Sequence, residues 1–552
     1  GIDDIRFLTA DLTLADTVDA GEGVDLLTIS DAATLADADF TGVTNVETLE
    51  FEAATTSVVL GAEAAEAGIV TIANKDVVTS LTLGATFTND VTITLDTGAN
   101  ADTIDASAYT GALSLSVDGD DLVTGDTFTA GTGTSDTLTI TSETALATGD
   151  VSGVSGFETI KFKTDVAGGL TLNDGNTAAG KSLTIDATTM VSSALTLDAS
   201  LELDGSVIVN GGGVADTITG SASTLGDTLN GNAGNDAFKF ASANLTLLDT
   251  IDGGAGTIDV IQITDTATVV DADFTNVTNV EKLLFDVAGT VILDTLSVAA
   301  GITTVANTDA KGTLNLTLKA GYTNDLTVAL LTNNDTITGT LYTKNLTVTG
   351  LDANIDGSDT ITGGTGTADT LTVTFAVPDL LDATELGGVT KMEIFKVADN
   401  AANAGFTTAD GNIASGKSLL IDGTKLVTTN TLTVSGAAET NGALTVQGGN
   451  GADDITGTQS SIGDTFYGNG GADTFTFVGA NLTALDTVDG GSGTDILTVT
   501  ADSVLADADF TGITNVETFT GSNADLTMVL GAEAAEAGIK TVNLVSGSNT
   551  NS

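Results

Sequence analysis

Residues Gly448–Thr456 read Gly-Gly-Asn-Gly-Ala-Asp-Asp-Ile-Thr, a match to the nonapeptide G-G-x-G-x-D-x-U-x in which U is a large apolar residue. A near-copy, GNGGADTFT, stands at Gly468–Thr476, and GGSGTDILT at Gly490–Thr498 matches in full. Glycines at these places let the backbone take positive φ and turn its carbonyls inward, and the Asp adds a carboxylate at the end of the turn. The apolar residue two places on starts a short strand whose side chain enters the core. Stacked turns of this kind make a cage of hard oxygen donors, and the ion such donors suit is Ca²⁺.

The chain resembles the RTX family, the haemolysin-type calcium-binding repeats of proteins exported by Gram-negative bacteria. The close matches lie at Gly211–Lys239, Gly448–Thr476 and Gly490–Thr498. The resemblance implies that the sixth-position Asp is the side-chain ligand: Asp216 and Asp236, Asp453 and Asp473, and Asp495. Gly448, Gly451, Gly468 and Gly471 shape the same turns. Each Asp pair is spaced for facing one ion from adjacent turns, with Asp227 and Asp464 on the opposite edge. Looser copies end at Asp25, Asp136, Asp259 and Asp369, and these turns are expected to bind metal weakly or not at all. The family also implies type I secretion to the cell surface or beyond, read from a C-terminal signal; Ser546–Ser552 (SGSNTNS) shows no clear candidate.

A second motif leads elsewhere. Gly175–Ser182 (GNTAAGKS) and Gly411–Ser418 (GNIASGKS) fit the phosphate-loop pattern G-x-x-x-x-G-K-[ST]. That loop must open a helix whose first amides cradle the phosphate. Here strand-like LTI and LLI follow, so a turn between strands is expected and nucleotide binding is not.

The elements that position these residues are repeats. Ala36–Phe51 (ADADFTGVTNVETLEF) returns at Val270–Phe285 and Ala506–Thr520, with Glu47, Glu281 and Glu517 spaced by 234 and 236 residues. Residues 1–235 form repeat unit one (halves 1–122 and 123–235), 236–472 unit two, and 473–552 the opening of a third. The halves echo through Val151–Phe162 and Leu386–Val397. No partner acid at a fixed spacing stands out for the block's Glu, so a hydrogen-bonded turn and a core aromatic at Phe40, Phe274 and Phe510 are expected. Gly1–Phe7 aligns with Gly234–Phe240, so the array is expected to continue on at least one side, or its ends to pack against another subunit.

Within each unit, short β-type runs recur at Val58–Leu60, Ile69–Ile72, Leu81–Leu83, Val91–Leu95, Thr103–Ile104 and Leu113–Val117. Gly, Asn, Asp and Ala turns separate them. This rhythm predicts an all-β fold, a parallel β-solenoid of the β-helix or β-roll kind. The alternative is a string of β-sandwich domains of half-unit size. Helix is expected to be scarce, with Ala62–Ala67 and its copy Ala532–Ala537 the best candidates.

Composition narrows the function. The chain has 552 residues, with 75 acids against 15 bases and a net charge of −60. Phosphate and anionic lipid would be repelled, and divalent cations are the natural counter-ions. At 41% hydrophobic and 4% aromatic it forms a thin aliphatic core rather than a disordered acidic tail. With no His and no Cys, it has no Ser-His-Asp triad, thiolate or usual zinc ligand set. No apolar run is long enough to span a bilayer. These observations lead to a non-enzymatic, calcium-binding, self-assembling extracellular protein, a surface-layer or filament subunit. The alternatives are the stalk of a large adhesin and the carrier region of a secreted enzyme.

Overall fold

A computed structural model describes the chain except residues 32–33, 53–56, 76–79, 97–100, 142–145, 147–148, 164, 166–168, 309–311, 332, 400, 502, 522–525 and 545–552. The segment Ser546–Ser552 therefore lies outside the described residues. The fold is nearly all β, a parallel β-solenoid of about 22 turns. The β-sandwich alternative is excluded by the pairing. Each strand pairs in parallel with the strand of the next coil, whereas a sandwich of the immunoglobulin kind is antiparallel.

Two compact units are distinguished. The first comprises Gly1–Thr264, Ala272–Lys282 and Ala299–Gly301. One of its sheets has 13 strands, from Asp4–Phe7 through Val91–Asp96 and Leu113–Val117 to Val277–Thr278. Alternation of Thr or Ser with Val, Leu or Ile sends every second side chain inward. In register, Ile72 stands beside Ile93, Ile93 beside Leu115, and Leu115 beside Leu138. All four are fully buried, one rung of the aliphatic core per coil. Facing strands such as Leu81–Leu83 and Thr103–Asp105, and further along Thr217–Thr219 and Ala237–Phe240, supply the other wall.

The second unit comprises Asp265–Asp271, Leu283–Val298 and Ile302–Ser552. It repeats the plan. Ser418–Asp422, Ala443–Gln447, Thr465–Tyr467 and Thr487–Asp489 pair successively on one wall. Leu432–Ser435, Asp454–Thr456, Thr474–Phe477 and Ile496–Val499 pair on another.

The expected strand positions match, except that the run at Ile69–Ile72 forms a strand at Thr71–Lys75. Phe40, Phe274 and Phe510 are buried, each ending a short 3₁₀ turn. Helices occupy Ala62–Glu66 and Ala532–Glu536, and a third, which the sequence reading missed, occupies Thr295–Ala300. All three have the same cause. An Asp of the preceding coil (Asp37, Asp271 or Asp507) accepts hydrogen bonds from amides of the first turn. The signal was the DADF run some 24 residues upstream of each helix.

Candidate metal centre

The nonapeptide Asp residues form a ladder along the solenoid. In the first unit, Asp216 Oδ1 accepts the amide of Leu195 at 2.7 Å, Asp236 Oδ1 that of Asp216 at 2.7 Å, and Asp259 Oδ1 that of Asp236 at 2.7 Å. Glu281 closes the run by accepting the Asp259 amide at 2.8 Å. The second unit repeats it: Asp453 on Leu432, Asp473 on Asp453, Asp495 on Asp473 and Glu517 on Asp495. Asp25 with Glu47, Asp136 with Glu158 and Asp369 with Glu393 make shorter runs. The Glu of the Phe block is thus the ladder's last rung. A partner acid does keep a near-constant spacing, 22 residues before the Glu in every copy except Asp369/Glu393, where it is 24.

Asp227 and Asp464 stand before strands of the other wall, as expected, and form a second ladder. Asp227 accepts from Val207 and is itself capped by Asp249, and Asp464 accepts from Leu444 and is capped by Asp486.

The second carboxylate oxygen separates these residues into two kinds. Asp216 Oδ2 accepts the amide of Gly212, and Asp453 Oδ2 that of Gly449, each at 2.7 Å. Asp136 and Asp369 are held similarly by Gly131 and Gly364. By contrast, the Oδ2 atoms of Asp25, Asp236, Asp259, Asp473 and Asp495 are buried without any hydrogen-bond partner. A buried charged oxygen with no partner is costly and calls for a proton or a cation. Burial accordingly pushes the Asp236 carboxyl up to about 6, and Asp473 up to about 7, with neighbouring ladder carboxylates adding to both. Desolvation likewise raises Asp259 and Asp495.

The glycines open this space. A Cβ on Gly468 would lie 2.3 Å from Asp473 Oδ2 and 2.4 Å from the Gly490 carbonyl oxygen. One on Gly448 would lie 2.3 Å from Asp453 Oδ2, and one on Gly451 only 2.1 Å from the Asn430 carbonyl. Gly471 has φ +132°, and its Cβ would meet the Gly451 carbonyl at 2.1 Å.

Carboxylate and carbonyl oxygens therefore converge on the glycine face of these nonapeptide turns. That donor set fits a hard divalent cation at Asp236/Asp259 and Asp473/Asp495. At Asp216 and Asp453 a cation would compete with a glycine amide. No three ladder carboxylates among the described residues bring oxygens within 4.8 Å of one another. An ion here would rest on few carboxylates plus backbone carbonyls.

Both phosphate-loop-like segments are turns. Gly175–Ser182 runs into the strand Ser182–Asp186 and Gly411–Ser418 into Ser418–Asp422, so no helix N-terminus faces either. No helix of the described residues is long and apolar enough to cross a membrane. No protein-family model matches the chain, and no curated protein matches it.

Proposed function

We propose that this chain is a calcium-stabilised structural solenoid that assembles with copies of itself into an extracellular layer or filament on a Gram-negative cell surface. The observation that carries the reading is the repeated buried, partnerless Oδ2 on Asp236, Asp259, Asp473 and Asp495. Calcium would be held by these oxygens with neighbouring backbone carbonyls, and would neutralise buried carboxylates in a chain of net charge −60. Repeated coils present like surfaces at intervals, and acidic faces need bridging cations before they meet. No residue set of a hydrolase or thiol enzyme supports a catalytic role.

The test is calorimetric titration with calcium, followed by light scattering and negative-stain imaging across a calcium series. Calcium uptake with growth into ordered arrays that chelator reverses is the expected result. Uptake with persistent monomers at high protein concentration would make the chain an adhesin stalk or an enzyme's carrier region. Absence of uptake would end the calcium reading.

A further inference from the structure

The first compact unit carries an acidic cluster that belongs to no nonapeptide. Asp174 lies in the turn after strand Gly169–Asn173, and Glu202 and Asp204 lie between strands Thr196–Leu201 and Ser206–Asn210. One carboxylate oxygen from each lies within 4.8 Å of one from each of the others. No described ion pair reaches any of the three.

Asp174 and Asp204 are exposed, but Glu202 is completely buried. Its Oε1 accepts the amides of Gly205 at 2.8 Å and Asp204 at 3.2 Å. Its Oε2 is buried with no partner at all. The hydroxyl of Thr177 is also buried and partnerless. Thr177 flanks the same glycine: a Cβ on Gly205 would lie 2.5 Å from Thr177 Cγ2 and 3.1 Å from Glu202 Oε1. A fixed inner carboxylate with a spare oxygen, beneath two solvent-facing carboxylates, is the arrangement that captures a hydrated hard cation. The exposed acids draw the ion in, the buried acid displaces part of its water shell, and water completes the coordination.

We infer that Asp174, Glu202 and Asp204 form a calcium site separate from the nonapeptide ladder. The second unit contains a natural comparison. There Asp410, Glu439 and Asn441 take the corresponding places, and Ile413 replaces Thr177. Glu439 is again fully buried, with Oε1 on the amides of Asn441 and Gly442 and Oε2 partnerless. This copy lacks one carboxylate, so it binds more weakly.

The test uses the whole chain and terbium, a calcium substitute with strong anomalous scattering. Crystals soaked in terbium chloride should show a peak between Asp174, Glu202 and Asp204. In solution, Asp204→Asn should remove one calcium per chain in calorimetric titration, and Asn441→Asp should add tight binding in the second unit. Both substitutions fall at exposed or half-exposed turn positions, so folding is retained. Terbium peaks only at the ladder, or calcium uptake unchanged in both variants, would overturn the inference while leaving the ladder reading intact. A peak here with none at the ladder would do the reverse.

Discussion

The amide of Asp453 donates to the carboxylate of Asp473 in the next coil at 2.8 Å, and the amide of Asp473 donates in turn to Asp495 at 2.8 Å. Each residue is thus a donor through its backbone and an acceptor through its side chain. With one oxygen committed to this chain of bonds, only Oδ2 remains to report on metal.

Metal-free stability should rise as pH falls from about 8 to about 5. Asp236 and Asp473 have folded values raised to about 6 and about 7, above those of an unfolded Asp. Their contribution to stability is therefore full below the unfolded value and is lost as pH rises through the folded one. A tenfold difference in proton affinity between the folded and unfolded chain corresponds to about 1.4 kcal/mol. Thermal melts in chelator should show this slope, and saturating calcium should flatten it. A melting temperature in chelator that falls steadily across the same acid range would contradict the assignment.

Asp473→Asn should stabilise the metal-free protein and weaken its response to calcium. The amide oxygen can still accept from Asp453, while the buried charge disappears. Asp453→Asn should cost less calcium response, because Asp453 Oδ2 is already held by Gly449. The readout is the calcium-induced shift in melting temperature for each variant. Equal losses in the two would show that the second oxygen does not decide binding.

Gly468→Ala should destabilise by about 1–3 kcal/mol, the usual cost of forced overpacking. Its Cβ would meet two fixed oxygens, Asp473 Oδ2 and the Gly490 carbonyl, at 2.3 and 2.4 Å. Gly470→Ala is the control, since its nearest neighbour would be the Ser492 hydroxyl at 3.4 Å. Denaturant titration distinguishes them.

Glu517→Ala should cost about 1–3 kcal/mol by leaving the Asp495 amide without its acceptor, and Glu517→Gln should restore most of it. The Glu517 carboxyl is lowered chiefly by that same amide, with Lys540 assisting at 3.5 Å. Its contribution is present above the unfolded value and lost as pH falls through the lowered one. Chemical denaturation at pH 7 and at pH 3 should therefore show the variant's deficit shrinking in acid.

Much of the architecture could be read from residues alone. Thr-Leu-Thr alternation with glycine turns leaves one inward side chain in two, which sufficed to place strands such as Leu81–Leu83 and Leu113–Val117. The nonapeptide placed Asp216 and Asp236 on adjacent coils of the first unit, and Asp453, Asp473 and Asp495 on adjacent coils of the second. The state of the second oxygen does not follow the closeness of the match. Asp259 belongs to a looser turn yet has a free oxygen, whereas Asp216, in a closer match, has none. That difference turns on whether a glycine amide of the same turn points at Oδ2. Asn232 and Asn469 replace that glycine before Asp236 and Asp473, but Gly254 and Gly491 keep it before Asp259 and Asp495, so residue types carry only part of the signal. The Asp174, Glu202 and Asp204 cluster was illegible for another reason. Its members come from different coils, and only the stacking of coils joins them.

The ladder also has a direction. Every carboxylate reaches the amide of the coil before it, as Asp236 reaches Asp216 and Asp473 reaches Asp453. The two faces of any coil are therefore unlike: one offers an acceptor, the other a donor. Two stacks joined through this edge can mate only head to tail, because like faces would oppose two carboxylates or two amides. An assembly built on the ladder is consequently a polar one, with distinguishable ends.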